Sequence, residues 1–157
     1  MSVQVEGQER VQIQRRMLVG ELVDRQMNEI VRQVRSLVDK TELQASSMEK
    51  HQFSNLLGVA LETSSVESIT NFIHYQMGRD VRGNSWRNRD FGDRLVKDLQ
   101  GLRDIAQGIG ENVASALSVS QLSRTDVDAI WAELARQYVG QLNRYFYYRK
   151  EAARWSR

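Results

Sequence analysis

Apolar residues recur at spacings of three and four along the first quarter of the chain, at Ile13, Met17, Val23, Met27, Ile30, Val34 and Leu37. That period predicts one long amphipathic helix over about residues 9–38, preceded by residues 1–8, which lack periodicity and read as a disordered tail. Leu18, Leu22, Val31 and Val38 widen the apolar face beyond a two-stranded coiled-coil stripe, so this helix should bury itself in a bundle or against a neighbouring subunit. Residues 39–47 are polar and aperiodic. Ser46 with Glu49 three residues on has capping-box spacing for a second helix, from about Met48 to Glu62, with Phe53, Leu56, Leu57, Ala60 and Leu61 on its buried side.

Ser64 and Glu67 repeat that spacing after only one or two residues, which predicts an antiparallel hairpin into a third helix burying Val66, Ile69, Phe72, Ile73 and Met77. His74 and Tyr75 fall off this stripe, and the helix gives out near Gly78. Asp90 with Asp93 offers an N-cap for a fourth stripe of Phe91, Leu95, Leu99, Leu102 and Ala106, ending at Gly108 or Gly110. Val113, Ala116 and Leu117 suggest a short fifth helix, and residues 118–123 read either as its continuation or as an open loop. Thr125 is placed to cap the last helix, with Asp126 and Asp128 in its first turn, where the helix dipole favours acids. The buried stripe of that helix is Val127, Ile130, Trp131, Leu134, Tyr138, Leu142 and Tyr145. The fold expected is all-α, a single helical-bundle domain over 9–157 with five to six helices and a long N-terminal helix.

Composition agrees with helices: there is no proline, and 41% of the 157 residues are apolar against 27% charged. With no cysteine there is no disulfide, thiolate metal site or cysteine nucleophile, which fits a reducing compartment. His51 and His74 sit in different predicted helices at no ligand spacing, so no metal and no cofactor are expected. No stretch approaches the ~20 apolar residues that span a bilayer, and no leader-like start is present, so a cytoplasmic location without membrane contact is expected. Glycine-rich phosphate loops, Gly-x-Ser-x-Gly, paired carboxylates and Cys–His pairs are all missing, which argues against an enzyme and a small-molecule substrate.

The net charge is only +2, yet the cations are clustered. Between Gly78 and Phe91, Arg79, Arg82, Arg87 and Arg89 surround Trp86, with Gly78 and Gly83 supplying backbone freedom. Guanidinium forks suit phosphate and indole suits base stacking, whereas the bland alternative has Asp80, Asp90 and Asp93 pairing with the arginines while Trp86 folds into the core. A second cluster closes the chain. Arg136, Arg144, Arg149, Lys150, Arg154 and Arg157 face Glu151 alone in that segment, interleaved with Tyr145, Phe146, Tyr147, Tyr148 and Trp155. One buried face cannot absorb so many aromatics, so part of the segment should be a contact surface for nucleic acid or for protein.

These features, in this order, resemble the helical small subunit of type III CRISPR effector complexes. Gln52, Leu56 and Leu57 look like the family's first motif, Tyr75, Gly78 and Arg79 like its Tyr-x-x-Gly-Arg helix end, Phe91 with Leu95 like its Phe-led helix, and Tyr138 to Lys150 like its aromatic last helix. The resemblance covers roughly residues 48–150, and the Trp86 loop has no counterpart in it. It implies a non-catalytic subunit, present in several adjacent copies beside other effector subunits, that contacts guide RNA and target RNA through backbone phosphates. On that reading Arg79, Arg82, Arg87, Arg89, Arg144, Arg149 and Lys150 bind RNA, and Trp86, Tyr75, Tyr147 and Tyr148 stack or form interfaces. The competing expectation is a helical adaptor that binds proteins through its first and last helices and binds no nucleic acid.

Overall fold

A computed structural model describes residues 2–155. Six helices follow in order: α1 (Ser2–Asp24), α2 (Met27–Lys40), α3 (Lys50–Glu62), α4 (Val66–Arg79), α5 (Phe91–Ala116) and α6 (Arg124–Trp155), with short 3-10 turns at Leu43–Ala45 and Asn88–Asp90. Among the described residues there is no strand, so the all-α bundle expected from the periodicity is what forms. The last helix is the axis of the bundle, with α2, α3 and α5 all laid along it. Its stripe of Ile130, Leu134, Tyr138, Leu142 and Phe146 is fully inside, and the Trp131 indole N–H donates to the Leu99 carbonyl of α5 at 2.8 Å.

Several boundaries differ from the expectation. The helix predicted over 9–38 is two helices. At the break Gln26 keeps near-helical angles (φ −87°, ψ −9°) and its N–H donates to Val23 rather than one residue further back. Neither proline nor glycine marks this bend; packing imposes it, with α2 laid mainly on α6 while α1 leans chiefly on α5. The tail expected over 1–8 is helical from Ser2 onward, and Met1 lies outside the described residues. Residues 2–14 are all exposed, so good helix formers extend α1 from its anchored end without tertiary support.

Glu49, not Ser46, stands at the N-cap of α3, its N–H held by the Gln52 side chain at 2.8 Å, and Ser65, not Ser64, caps α4 by accepting from the Ser68 N–H. Leu61, assigned to the buried face of α3, is 65% exposed. The fourth and fifth helices are one. α5 runs through Gly108 and Gly110, and a Cβ on Gly110 would come within 3.2 Å of Val127, so that glycine admits the close crossing of α6 rather than ending a helix. Termination comes at Ser118, at φ +57°, where the N–H groups of Ser118 and Val119 reach back to Ser115 and Ala114 in a Schellman arrangement. The loop alternative holds for the residues before α6, whose cap is Ser123, accepting from the Asp126 N–H at 3.1 Å, and not Thr125.

Deleting residues 2–14 should leave the thermal midpoint nearly unchanged, because nothing in the bundle rests on them. Phe53→Ala, which empties a fully buried site, should cost about 3–5 kcal/mol. A large loss of stability in the deletion, read by thermal circular dichroism, would show that α1 is part of the cooperative core.

Candidate nucleic-acid interface

The loop between α4 and α5 is built around Asp80, only 8% exposed. Its Oδ1 accepts the Gly83 N–H at 3.0 Å, and its Oδ2 accepts those of Ser85 at 3.1 Å and Arg87 at 2.9 Å. Gly83, at φ +71°, makes the turn that aims these N–H groups at one carboxylate. Burial by itself pushes the Asp80 carboxyl up, but the hydrogen bonds from Arg87, Ser85 and Gly83 outweigh it and hold it below its ordinary value. Asp80 makes no ion pair among the described residues, so the expected salt-bridged loop acid is instead a brace for the backbone.

Two further stitches hold the loop to the connection between α2 and α3. The Ser47 N–H and hydroxyl both donate to the Asn84 carbonyl, and the Asn88 amide donates to the Thr41 carbonyl at 2.9 Å. Trp86 is carried into the core, 2% exposed, tilted against Phe53 and Phe91 with ring centroids 5.9 and 6.0 Å apart. Its assignment as a stacking surface is therefore corrected: the large apolar ring fills the gap where α3 and α5 meet. Gly92 accommodates this, because any Cβ there would collide with Met77 and with the Trp86 carbonyl, which accepts the Gly92 N–H at 2.7 Å.

The seven cations expected to bind RNA divide by what they already hold. Arg87 turns inward, its guanidinium donating to the Asp80 carbonyl at 3.0 Å through Nε and 2.5 Å through Nη2, so it is a loop brace rather than a free donor. Arg89 pairs with Glu42 at 2.9 Å. Arg149 lies 3.6 Å from Asp39, and Lys150 donates to the Ser46 carbonyl at 3.0 Å. Arg79, Arg82 and Arg144 are exposed and pair with no acid among the described residues. Arg79 lies over the ring of Tyr75, 5.4 Å from its centroid, and Tyr75 is itself 59% exposed. Beside them a polar cleft of about 260 Å³ between α3 and α4 is lined by His51, Asn55 and Gln76 as well as Arg79.

The C-terminal cluster is partly paired in space: Asp39 of α2 reaches Arg149, while Lys50 of α3 brings a further cation to Glu151. Arg136 pairs with Glu133 at 2.9 Å, and Glu151 takes both Lys50 and Arg154. Tyr147 and Tyr148 are half exposed as expected, the first beneath Lys50 and the second between Tyr145 and Trp155. The sequence reading omitted another group of cations: Lys40 from the end of α2 meets Arg94 and Lys97 from the first turns of α5. The spacing of Arg94 and Lys97 puts them on one face, but only the fold adds Lys40.

Among the described residues no cluster of His, Cys, Asp and Glu is arranged to hold a metal, and no helix is long and apolar enough to cross a membrane. No family model matches the chain, no curated protein matches it in sequence, and no solved structure matches its fold.

Removing the brace should cost stability with a defined pH signature. Asp80→Ala leaves three backbone N–H groups without their acceptor and should destabilise by about 1–3 kcal/mol near neutral pH. Because the folded-state value is lowered, Asp80 contributes its stability above its unfolded value of about 3.9 and loses it as pH falls through the folded one. Urea melts from pH 2 to 7 should show the gap between wild type and Asp80→Ala constant above about pH 5 and closing in acid. A gap independent of pH would contradict the carboxylate brace.

Proposed function

We propose that this chain is the non-catalytic small subunit of a type III CRISPR RNA-guided effector, working in the cytoplasm and gripping the phosphate backbone of guide and target RNA without reading bases. The observation that carries the reading is that Arg79, at the end of α4, and Arg82, in the braced loop that follows, are exposed without acid partners among the described residues. A guanidinium held out on a rigid support loses little entropy when it meets phosphate. Tyr75 and Arg79, side by side on α4, match the Tyr-x-x-Gly-Arg helix end on which the resemblance rests. Arg144 adds a separate free cation on α6.

One observation favours the adaptor reading. The exposed stretch of α1 carries Val3, Val5, Val11 and Ile13, each at least half exposed. In an effector filament this helix would contact an adjacent copy or another subunit, so the surface belongs to either reading. Purifying a tagged copy from its native host separates the two. Short uniform RNAs arriving with large protein partners support the effector subunit, and protein partners without RNA support the adaptor.

In vitro, Arg79→Ala combined with Arg82→Ala should weaken binding of single-stranded RNA at least about tenfold while leaving the thermal midpoint in place. If each arginine neutralises one phosphate, the slope of log affinity against log salt should shrink by roughly 1.4, at about 0.7 per phosphate. Arg87→Ala should do the reverse and lower the midpoint, since its guanidinium is spent on the loop. Unchanged RNA affinity and unchanged salt slope in the double variant would remove this surface from the function.

A further inference from the structure

The cleft between α2 and α5 has a volume of about 400 Å³, shares no lining residue with the cleft beside Arg79, and is lined by more positive than negative side chains. Arg32, Lys40, Arg94 and Lys97 face it against only Glu29 and Asp98. Glu29 is committed to Arg32 at 3.2 Å. One oxygen of Asp98 is committed to the buried Tyr138 hydroxyl of α6, which donates to it at 2.5 Å. Among the described residues Lys40, Arg94 and Lys97 make no ion pair within 4 Å, and although the Asp98 charge attracts both Arg94 and Lys40, the cleft keeps two positive charges in excess.

A second feature points to an occupant. Gln33, on the same wall, has its side-chain oxygen buried without a hydrogen-bond partner. A buried amide oxygen among cations that do not reach it is costly. The other end of that amide, its NH2 group, makes no hydrogen bond among the described residues and is the end that a ligand in the cleft can meet. An acceptor-only ligand would give that NH2 a partner and neutralise the cations in one step, which neither a neutral ligand nor a metal cation can do.

We infer that this cleft is a phosphate-binding site in which Lys40, Arg94 and Lys97 hold the oxyanions and Gln33 completes the contact. The chemistry selects phosphate over a lone carboxylate, because the lining carries an excess of two positive charges and a pyrophosphate, or two adjacent phosphodiesters, supplies at least two negative ones. The ligand's source is either a small phosphorylated molecule or an RNA backbone crossing α2 and α5. The site does not depend on Arg79 or Arg82.

The test is to follow the backbone amides of the full chain by 15N nuclear magnetic resonance during titration with sodium pyrophosphate, against sodium chloride at matched ionic strength. A parallel titration uses a 5′-hydroxyl single-stranded oligoribonucleotide. Saturable shifts over residues 33–40 and 94–98 with pyrophosphate and not with chloride are expected. Arg94→Gln with Lys97→Gln should weaken them at least about tenfold, with Arg25→Gln, a cation elsewhere on the surface, as the control that changes nothing. If the double variant does not fold, Lys40→Gln alone carries the same comparison from the other wall. RNA shifting the same amides identifies the backbone as the source. Pyrophosphate shifting them while RNA binds nowhere sustains the cleft and removes the RNA reading. RNA binding with these amides unmoved by either ligand overturns the cleft and leaves the RNA reading standing. No shift with either, or an affinity indifferent to the substitutions, overturns the cleft.

Discussion

Phe53 is the point at which four separate stretches of chain are fastened together. Its ring meets Phe146 of α6 edge-on at 4.8 Å, Phe91 of α5 at 5.7 Å and Trp86 of the intervening loop at 5.9 Å, all of them buried. Aromatic contacts of this geometry add about 0.5–1.5 kcal/mol each to the burial of large apolar surface. The consequence reaches beyond the core. With Trp86 drawn inward, the loop that carries it must return to the surface within a few residues on either side, and its backbone polar groups need partners close by. Asp80, Arg87, Ser47 and Asn88 supply those partners, so the aromatic cluster and the braced loop are one device.

That device sorts the arginines. A guanidinium near Asp80 finds main-chain carbonyls to hold, as Arg87 does, whereas Arg79 and Arg82 are exposed and make no side-chain hydrogen bond among the described residues. The same sorting operates on α6, whose basic end is largely neutralised by Asp39, Glu133 and Glu151. A modest net charge is therefore compatible with a few sharply local cationic spots, and those spots, not the sum, decide what an anion feels within a Debye length of about 8–10 Å.

Helix identity was legible because each buried face repeats at three and four residues, and every helix predicted from such a stripe exists in some form. Helix ends were less legible, for specific reasons. The bend at Gln26, where the N–H bonds three residues back instead of four, has no glycine or proline to mark it in sequence, and Ser118 takes a left-handed conformation usually given to glycine. Gly110 looks like a terminator but serves a helix crossing. At the candidate site, sequence singled out the loop but assigned Trp86 to the surface and left Arg87 as a free donor, because the three N–H groups that gather on Asp80 come from residues whose side chains say nothing about it. Lys40 and Arg94 are separated by more than fifty positions and share no pattern, so their meeting is a property of the fold alone.

The size of these cationic spots bears on how such a protein would work. Three exposed arginines without an acid partner among the described residues and a separate three-cation cleft would give one copy only a handful of phosphate contacts, each weakened by salt. Tight RNA binding by a single subunit does not follow from this surface, and an array of subunits would not need it. When copies are held side by side, each further contact is intramolecular, and its effective concentration is set by the spacing of the array rather than by the bulk. The exposed length of α1, residues 2–14, extends about 20 Å from its anchored turns at 1.5 Å per residue and carries apolar side chains that the described residues leave at least half exposed. A helix of that length is marginal without support, so a neighbour that covered its apolar side would stabilise both the helix and the array. On the proposed function, a weak, non-sequence-specific grip and an unsupported projecting helix would be two parts of one arrangement, in which assembly supplies the affinity that the individual arginines lack.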